Sequence, residues 1–504
     1  MALLRYLGIL AILVGVLIRT TTVGQNLATY LRPPELPVHY ARLPHLAGGA
    51  EASLEDVTVH SSASLSPAER LAYCEDTTHF TAADGRELAL LSCDPNRKEW
   101  NTVMGPLKDA RARNGAVWVL DPLAATSDGS AGLVKVKLEW EALQRGEVQF
   151  HPLGVETVRS DSGGDRLFAV NHGEQLSTIE VFSLARCRKD DSPLAYCAKH
   201  LATLSHPSLI APNSIAPVSP TSFFVTQDHR FTRRARSLLG TVTNMVETIF
   251  GLPLARVDYV EFSLPASLAP PVIHIEPVAT SIPFANGVAL SAAHDKLVVA
   301  STTRRELRFY DLTWSSHDAR DVRHPTAQLS RVVPLPFFVD NVSILPRAPS
   351  SSSSSSSAAA SSTPTSLTVL AAGHPSYPAL LATAHQKDWS FRLPGGFNRW
   401  AELFSPPGAE KLEPWHVTFR HDEQRGMSWA VAVTDPMPLD ETGAVEGEET
   451  GGQEWETLFQ SNGRIADGGF GGSTTAVAGW SKGRAWMVVP GLYEEGVKVV
   501  RERA

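Results

Sequence analysis

Long apolar runs are nearly absent from this 504-residue chain. The longest, Leu7 to Ile18, follows Arg5 and holds about a dozen residues, which suits the core of a secretory signal but not a membrane span of ~20. No small-x-small cleavage site follows it between Thr20 and Gly24, so residues 1–24 read as either a signal peptide or an uncleaved anchor. Basic stripes are also lacking. The net charge is −8 with Lys and Arg scattered, which excludes a nucleic-acid partner and leaves the acidity to solvated surface. Cysteine is scarce: Cys74, Cys93, Cys187 and Cys197 are the whole set, an even number that fits an oxidising, secretory compartment. Three pairings are possible. Cys74 and Cys93 bracket a hairpin turned at Ala83-Asp84-Gly85, and Cys187 and Cys197 bracket a polar segment between two strand-like phrases, so sequential pairing is expected. A 43% hydrophobic content excludes a mainly disordered protein.

What the chain does have is β-structure at regular intervals. Runs rich in Val, Leu, Phe and Trp recur at Ala116 to Leu120, Arg166 to Asn171, Ser222 to Thr226, Lys296 to Ser301, Leu367 to Ala372, Ser428 to Val433, Thr475 to Trp480 and Arg484 to Val489. Their spacing, with further β phrases between, predicts the blades of a propeller, although no WD or kelch signature is present. One helix is expected from Arg233 to Phe250, where Leu238, Leu239, Val242, Met245, Val246, Ile249 and Phe250 follow helical spacing. Packing over the sheet ends is the ordinary use of such a stripe; a lid or a membrane-surface contact is the other. Two segments, about 349–365 and 438–456, are Ser/Ala-rich and acidic Gly-rich respectively, and are expected to be disordered insertions.

Short phrases in a fixed order carry the functional signal. They are Tyr73-Cys74-Glu75-Asp76, Leu167 to His172, Pro212-Asn213-Ser214-Ile215, Thr226 to Phe231, Phe284-Ala285-Asn286-Gly287-Val288, Val339-Asp340-Asn341-Val342-Ser343 and Gly373-His374-Pro375. In this order the chain resembles the serum paraoxonase/arylesterase family. The resemblance implies an all-β, six-bladed propeller over residues 25–504 with a capping helix, and calcium-dependent hydrolysis of aryl esters, carboxylic esters or lactones. Carried over residue by residue, the catalytic calcium falls to Glu75, Asn213, Asn286, Asp340 and Asn341. A cation so held polarises a carbonyl and stabilises the developing oxyanion. The competing reading of each residue is an Asx turn or cap. Asn341-Val342-Ser343 is also the only sequon in the chain, and a buried ligand cannot carry a glycan.

Three departures qualify the resemblance. Leu153 in Phe150-His151-Pro152-Leu153-Gly154-Val155 stands where the mammalian members carry a catalytic histidine, and leucine cannot be a general base. His151 and His172 are the expected catalytic histidines, His374 is expected to contact substrate, and Glu75 or Asp340 competes for the role of base. Ser214 replaces an aspartate of a second, structural calcium site, leaving Asp76 and the Val155 carbonyl of that set. No cysteine follows Cys197, so ring closure must rest on pairing of the N- and C-terminal strands. The expected partner is a small ester or lactone, with contact to a membrane or lipid surface through the N-terminal segment and the 233–250 helix as a second expectation. A gluconolactonase-like sugar lactonase and a non-catalytic secreted propeller that binds a partner or lipid are the alternatives. Gly479-Trp480-Ser481-Lys482-Gly483 matches a nucleophile elbow but lies between β phrases, so Ser481 is assigned to a hairpin.

Overall fold

The computed structural model describes residues 33–44, 53–160, 164–188, 192–234, 238–264, 270–316, 323–346, 366–392, 416–435 and 454–503. The 1–24 segment, and nearly all of the two expected insertions, lie outside the described residues. Four- and five-stranded blades, six in number, form a ring, antiparallel except where Lys137–Glu139 runs parallel to Tyr196–Leu204 in blade 2, and each blade's innermost strand faces the central tunnel. These innermost strands are Cys74–Thr81, Pro152–Val158, Pro212–Ser219, Ala285–Leu290, Phe338–Ile344 and Val477–Ser481, for blades 1 to 6. Second and third strands such as Ala116–Leu120 and Ser222–Gln227 are buried along their whole length, which is why they read as continuous apolar runs rather than alternating ones.

The ring closes with an N-terminal strand. Leu54–Val59 lies antiparallel to Val497–Glu502 as the outer strand of blade 6, with Leu54 opposite Glu502 and Val59 opposite Val497. Pairing of the two chain ends thus joins blade 6 without a covalent link, as the missing late cysteine required. Cys74 is bonded to Cys93 across two paired strands of blade 1, and Cys187 to Cys197 at the edge of blade 2. Ser481 pairs with Arg484 across a two-residue turn whose Lys482 and Gly483 both have positive φ, which makes it a hairpin and not an elbow.

A local irregularity recurs in the innermost strands. Pairing with the second strand shifts register between Cys74 and Asp76, Pro152 and Val155, Pro212 and Ile215, Ala285 and Val288, and Val339 and Val342. Such bulges bend the strand and re-aim side chains. Here they also bring backbones together. A Cβ on Gly154 would stand 2.4 Å from the Asn213 carbonyl oxygen, and one on Gly287 2.6 Å from the Asn341 Cα, so only glycine fits at these blade-to-blade approaches.

Two helices rise on the face where the innermost strands begin, since Gln227 pairs with Pro212 and His374 with Phe338. Tyr377–His385 is capped by Ser376, whose hydroxyl accepts from the Ala379 N–H, and is ended by Gln386 in the left-handed region. Seven of its nine residues are buried. Leu238–Phe250 is the helix expected from the apolar stripe, and it packs the other way round. Asn244 and Glu247 are buried, whereas Val242, Met245, Val246, Ile249 and Phe250 are exposed. The Glu247 carboxylate accepts from the backbone N–H groups of Arg230 and Phe231, and Asn244 donates to the Phe231 carbonyl. Among the described side chains, these hydrogen bonds hold the inner face down. Arg233 and Arg234 precede the helix, donating to Asn244 and Ser177.

Candidate metal and substrate pocket

The bulges place Glu75, Asn213, Asn286, Asp340 and Asn341 at the start of four innermost strands, all less than 8% exposed. Glu75, Asn213, Asn286 and Asp340 line one pocket at the tunnel mouth. Asn341 stands behind it, donating from Nδ2 to Glu75 Oε1 at 3.1 Å. Each amide is turned the same way. Asn213 Nδ2 donates to Asp228 (3.2 Å), and Asn286 Nδ2 to Thr302 Oγ1 (3.1 Å) and Asp340 Oδ1 (2.6 Å). Thr302 in turn donates to the Val339 carbonyl at 2.6 Å. The carbonyl oxygens of all three amides, and Glu75 Oε2, are then left buried with no hydrogen-bond partner.

Buried unpaired oxygens cost roughly 1–3 kcal/mol each, so four in one place are a large debt unless something positive meets them. A hard cation that takes six to eight oxygens, some of them neutral, fits this donor set. Burial, and the neighbouring Asp76 and Asp340 carboxylates, push the Glu75 carboxyl well above the usual carboxylate range. That repulsion is the electrostatic counterpart of the same deficit.

Asp76, one residue further, has no such deficit. Its Oδ1 accepts from the Thr77 N–H and the Thr475 hydroxyl, both at 2.9 Å, and its Oδ2 from the Val155 N–H at 2.9 Å. Burial raises its carboxyl to about 7 against these bonds. Ser214 Oγ accepts from the Val288 N–H at 3.2 Å. Val155 thus presents its N–H to Asp76, so this carboxylate, unlike that of Glu75, is met by hydrogen bonds at both oxygens.

The histidines divide between pocket and frame. His151 is 1% exposed, with Nδ1 2.9 Å from Asp94 Oδ2 and Nε2 donating to the Ala110 carbonyl at 2.7 Å. Both nitrogens are occupied, and the ring does not border the pocket, so His151 is not placed to stand in for the histidine that Leu153 displaces. His172 is hydrogen-bonded through Nδ1 to the Thr102 hydroxyl and donates from Nε2 to the Pro212 carbonyl at 2.7 Å. Burial lowers its pKa to about 4. It supports the strand that delivers Asn213 from outside the pocket. Only His374, among the described histidines, borders the pocket. Its Nε2 lies 2.9 Å from Asp340 Oδ2, and its buried Nδ1 has no partner.

Leu153 itself lines the pocket on the blade 2 bulge, with Val103, Met104, Phe284, Tyr377 and Leu492 completing an apolar wall. Arg97 and Thr302 also reach it. Sequence reasoning did not single out Arg97, Thr302 or Tyr377. Asp228 lay within a quoted phrase without a role, and it proves to orient Asn213. Asn341, 1% exposed, is inaccessible to glycosylation in the folded protein.

Comparison with known proteins finds similarity over part of the chain. A family model described as Arylesterase matches residues 139–346. Serum paraoxonase/arylesterase 1 of Mus musculus is 27% identical over 199 residues, 39% of this chain and 46% of its own length. Serum paraoxonase/arylesterase 2 of Canis lupus familiaris is 28% identical over 199 residues, with the same shares, and serum paraoxonase/lactonase 3 of Homo sapiens 26% over 197 residues, again 39% and 46%. The matched region spans less than half the length of these relatives. This chain is thus similar to the Arylesterase family model through residues 139–346, and to serum paraoxonase/arylesterases over 39% of its length.

Proposed function

We propose that the protein is a calcium-dependent hydrolase of esters or lactones acting at the tunnel-mouth pocket. The observation that carries this reading is the set of four unpaired buried oxygens, from Glu75, Asn213, Asn286 and Asn341, beside the Asp340–His374 pair in an apolar-walled pocket. Glu75, Asn213, Asn286, Asp340 and Asn341 would hold the calcium, which when bound polarises the scissile carbonyl and offsets the charge developing on its oxygen.

The chain's own residues supply the rest. With Nε2–H donating to Asp340, His374 has its other nitrogen, Nδ1, free of any hydrogen-bond partner, the arrangement a general base requires. His374 takes the proton from the attacking water; a C–OH bond forms at the acyl carbon, the C–O bond to the leaving oxygen breaks, and that oxygen receives the proton. A carboxylic acid and an alcohol result, or a single hydroxy acid from a lactone, and the acid then gives its proton to solvent. Leu153, Phe284 and Tyr377 bind the apolar part of the substrate and keep water away from the polarised bond.

Two disulfides support passage through the secretory pathway, with residues 1–24 as signal or anchor and the propeller following. No helix among the described residues is long and apolar enough to cross a membrane. The exposed stripe Val242, Met245, Val246, Ile249 and Phe250, continued by Phe231 and Leu254, favours contact with a lipid surface beside the pocket mouth.

A panel of lactones and aryl esters, assayed with calcium and after chelation, tests the function. Turnover that disappears with chelator and returns with calcium is expected. Binding of calcium without turnover of any panel member would reduce the metal to a structural part.

A further inference from the structure

Arg97 is a buried cation with an unused end. It is 3% exposed, yet it forms no ion pair with any described carboxylate. Its Nε donates to the Tyr73 carbonyl at 3.1 Å and its Nη2 to the Pro152 carbonyl at 2.8 Å, so the guanidinium bridges blades 1 and 2. These bonds use two of five N–H groups. Nη1 donates to no described protein acceptor, and the residue borders the pocket that holds Glu75, Asp340 and His374.

The guanidinium is also locked in place. Arg97 N–H donates to the Asp94 carbonyl, and the Asp94 side chain accepts from the Asn96 N–H at 2.8 Å while pairing with His151. His151, excluded as a base by its two occupied nitrogens, thereby fixes the turn that presents Arg97. A purely structural bridge would need only the two carbonyl bonds. It would not need a permanent charge at the wall of a reaction pocket, where burial without a direct ion pair is costly. Arg97 acts on the Glu75 carboxylate through space, but no carboxylate among the described residues bonds its guanidinium.

We propose that Arg97 is the anion-recognition residue of this pocket, and that the substrate is an ester or lactone carrying a carboxylate close to its scissile bond. This rests on the reading of the pocket as a hydrolytic site, and it narrows the substrate class. The carboxylate takes the free Nη1 edge of Arg97 while the scissile carbonyl lies toward the Asp340–His374 side. Neutral analogues leave the guanidinium buried and unpaired, which is the basis of discrimination.

The full chain, loaded with calcium, is assayed on 5-oxotetrahydrofuran-2-carboxylate and on its neutral carboxamide. The carboxylate should be preferred in kcat/KM by about 10–100-fold, the worth of one charged hydrogen-bonded contact. Arg97→Met should bring the two within about threefold, chiefly by lowering turnover of the carboxylate. Calorimetry with the inert tetrahydrofuran-2-carboxylate gives a readout free of catalysis: binding to the parent should weaken at least about tenfold in Arg97→Met and fade with added salt. Equal turnover of the two lactones by the parent overturns the anion role and leaves the hydrolase reading standing. If neither lactone is hydrolysed, calorimetry alone decides, and absent binding, or binding that Arg97→Met leaves unchanged, overturns it. Should Arg97→Met fail to fold, Arg97→Lys takes its place, with weakened carboxylate binding expected and unchanged binding counting against the proposal.

Discussion

Glu75 and Asp76 are adjacent in sequence, equally buried and alike in charge, yet the protein treats them in opposite ways. Around Asp76, three donors from Thr77, Val155 and Thr475 satisfy the carboxylate and tie blades 1, 2 and 6 together. Around Glu75 the donors run short, and three amides add unpaired oxygens of their own. The histidines follow this division. His151 and His172 are fully engaged on the satisfied side, whereas His374 keeps an open nitrogen on the deficient one. A buried polar cluster in this propeller is therefore structural or functional according to whether its hydrogen bonding is complete, and residue type does not tell the two apart.

Removing a charge from the deficient side should have the largest effect. Asp340→Ala is expected to abolish calcium binding and to lower hydrolysis by at least about a thousandfold, since one of two ligand carboxylates is lost and His374 loses its partner. Calorimetric titration with calcium and a turnover assay on the same preparation check this; normal uptake would place the metal elsewhere. Next in size is the base. His374→Gln should reduce kcat by about 10²–10⁴ with calcium uptake retained, while His151→Gln should act through stability and not through the proton step. If the kcat loss followed His151→Gln or His172→Gln in a fully folded variant, the division between pocket and frame would be broken.

On the satisfied side the expected effects are energetic. Asp76→Asn sets an amide donor against three donors and should cost about 2–4 kcal/mol in denaturant unfolding, with calcium stoichiometry staying at one. A second calcium in the parent that this substitution removes would erase the contrast with Glu75. His172 provides a pH signature. A histidine near 6.5 in the unfolded chain and about 4 when folded leaves the native state at full stability above ~6.5, and that stability is lost as pH falls toward about 4, an effect on the order of 3 kcal/mol. Unfolding measured across this interval should show the slope in the parent and a flatter line in His172→Gln. The smallest effect belongs to the helix: Val246→Ser should leave stability within about 0.5 kcal/mol, because the side chain is already exposed, while weakening adsorption to phospholipid vesicles.

Much of the architecture was readable from order and pattern. The β phrases lie on the observed strands, the hairpin at Ser481 follows from its β surroundings, and pairing of the chain ends follows from the missing late cysteine. The helix was located but its orientation was not, because spacing reveals a stripe and cannot say which side meets the protein. Asn244 and Glu247 decided that by pairing with backbone groups at Arg230 and Phe231.

The same limit governs the pocket. Sequence alone determined which residues are able to ligate or to titrate, since side-chain chemistry is local, and the order of the phrases assigned Glu75, Asn213, Asn286, Asp340 and Asn341 to one cluster. Only the tertiary structure decided which of their oxygens are left unpaired, that His374 rather than His151 borders the pocket, and that Arg97 stands beside it. Those outcomes depend on bulges in separate blades and on carbonyls such as Pro152 and Pro212 meeting partners far away in the chain, and no spacing within a single strand encodes them.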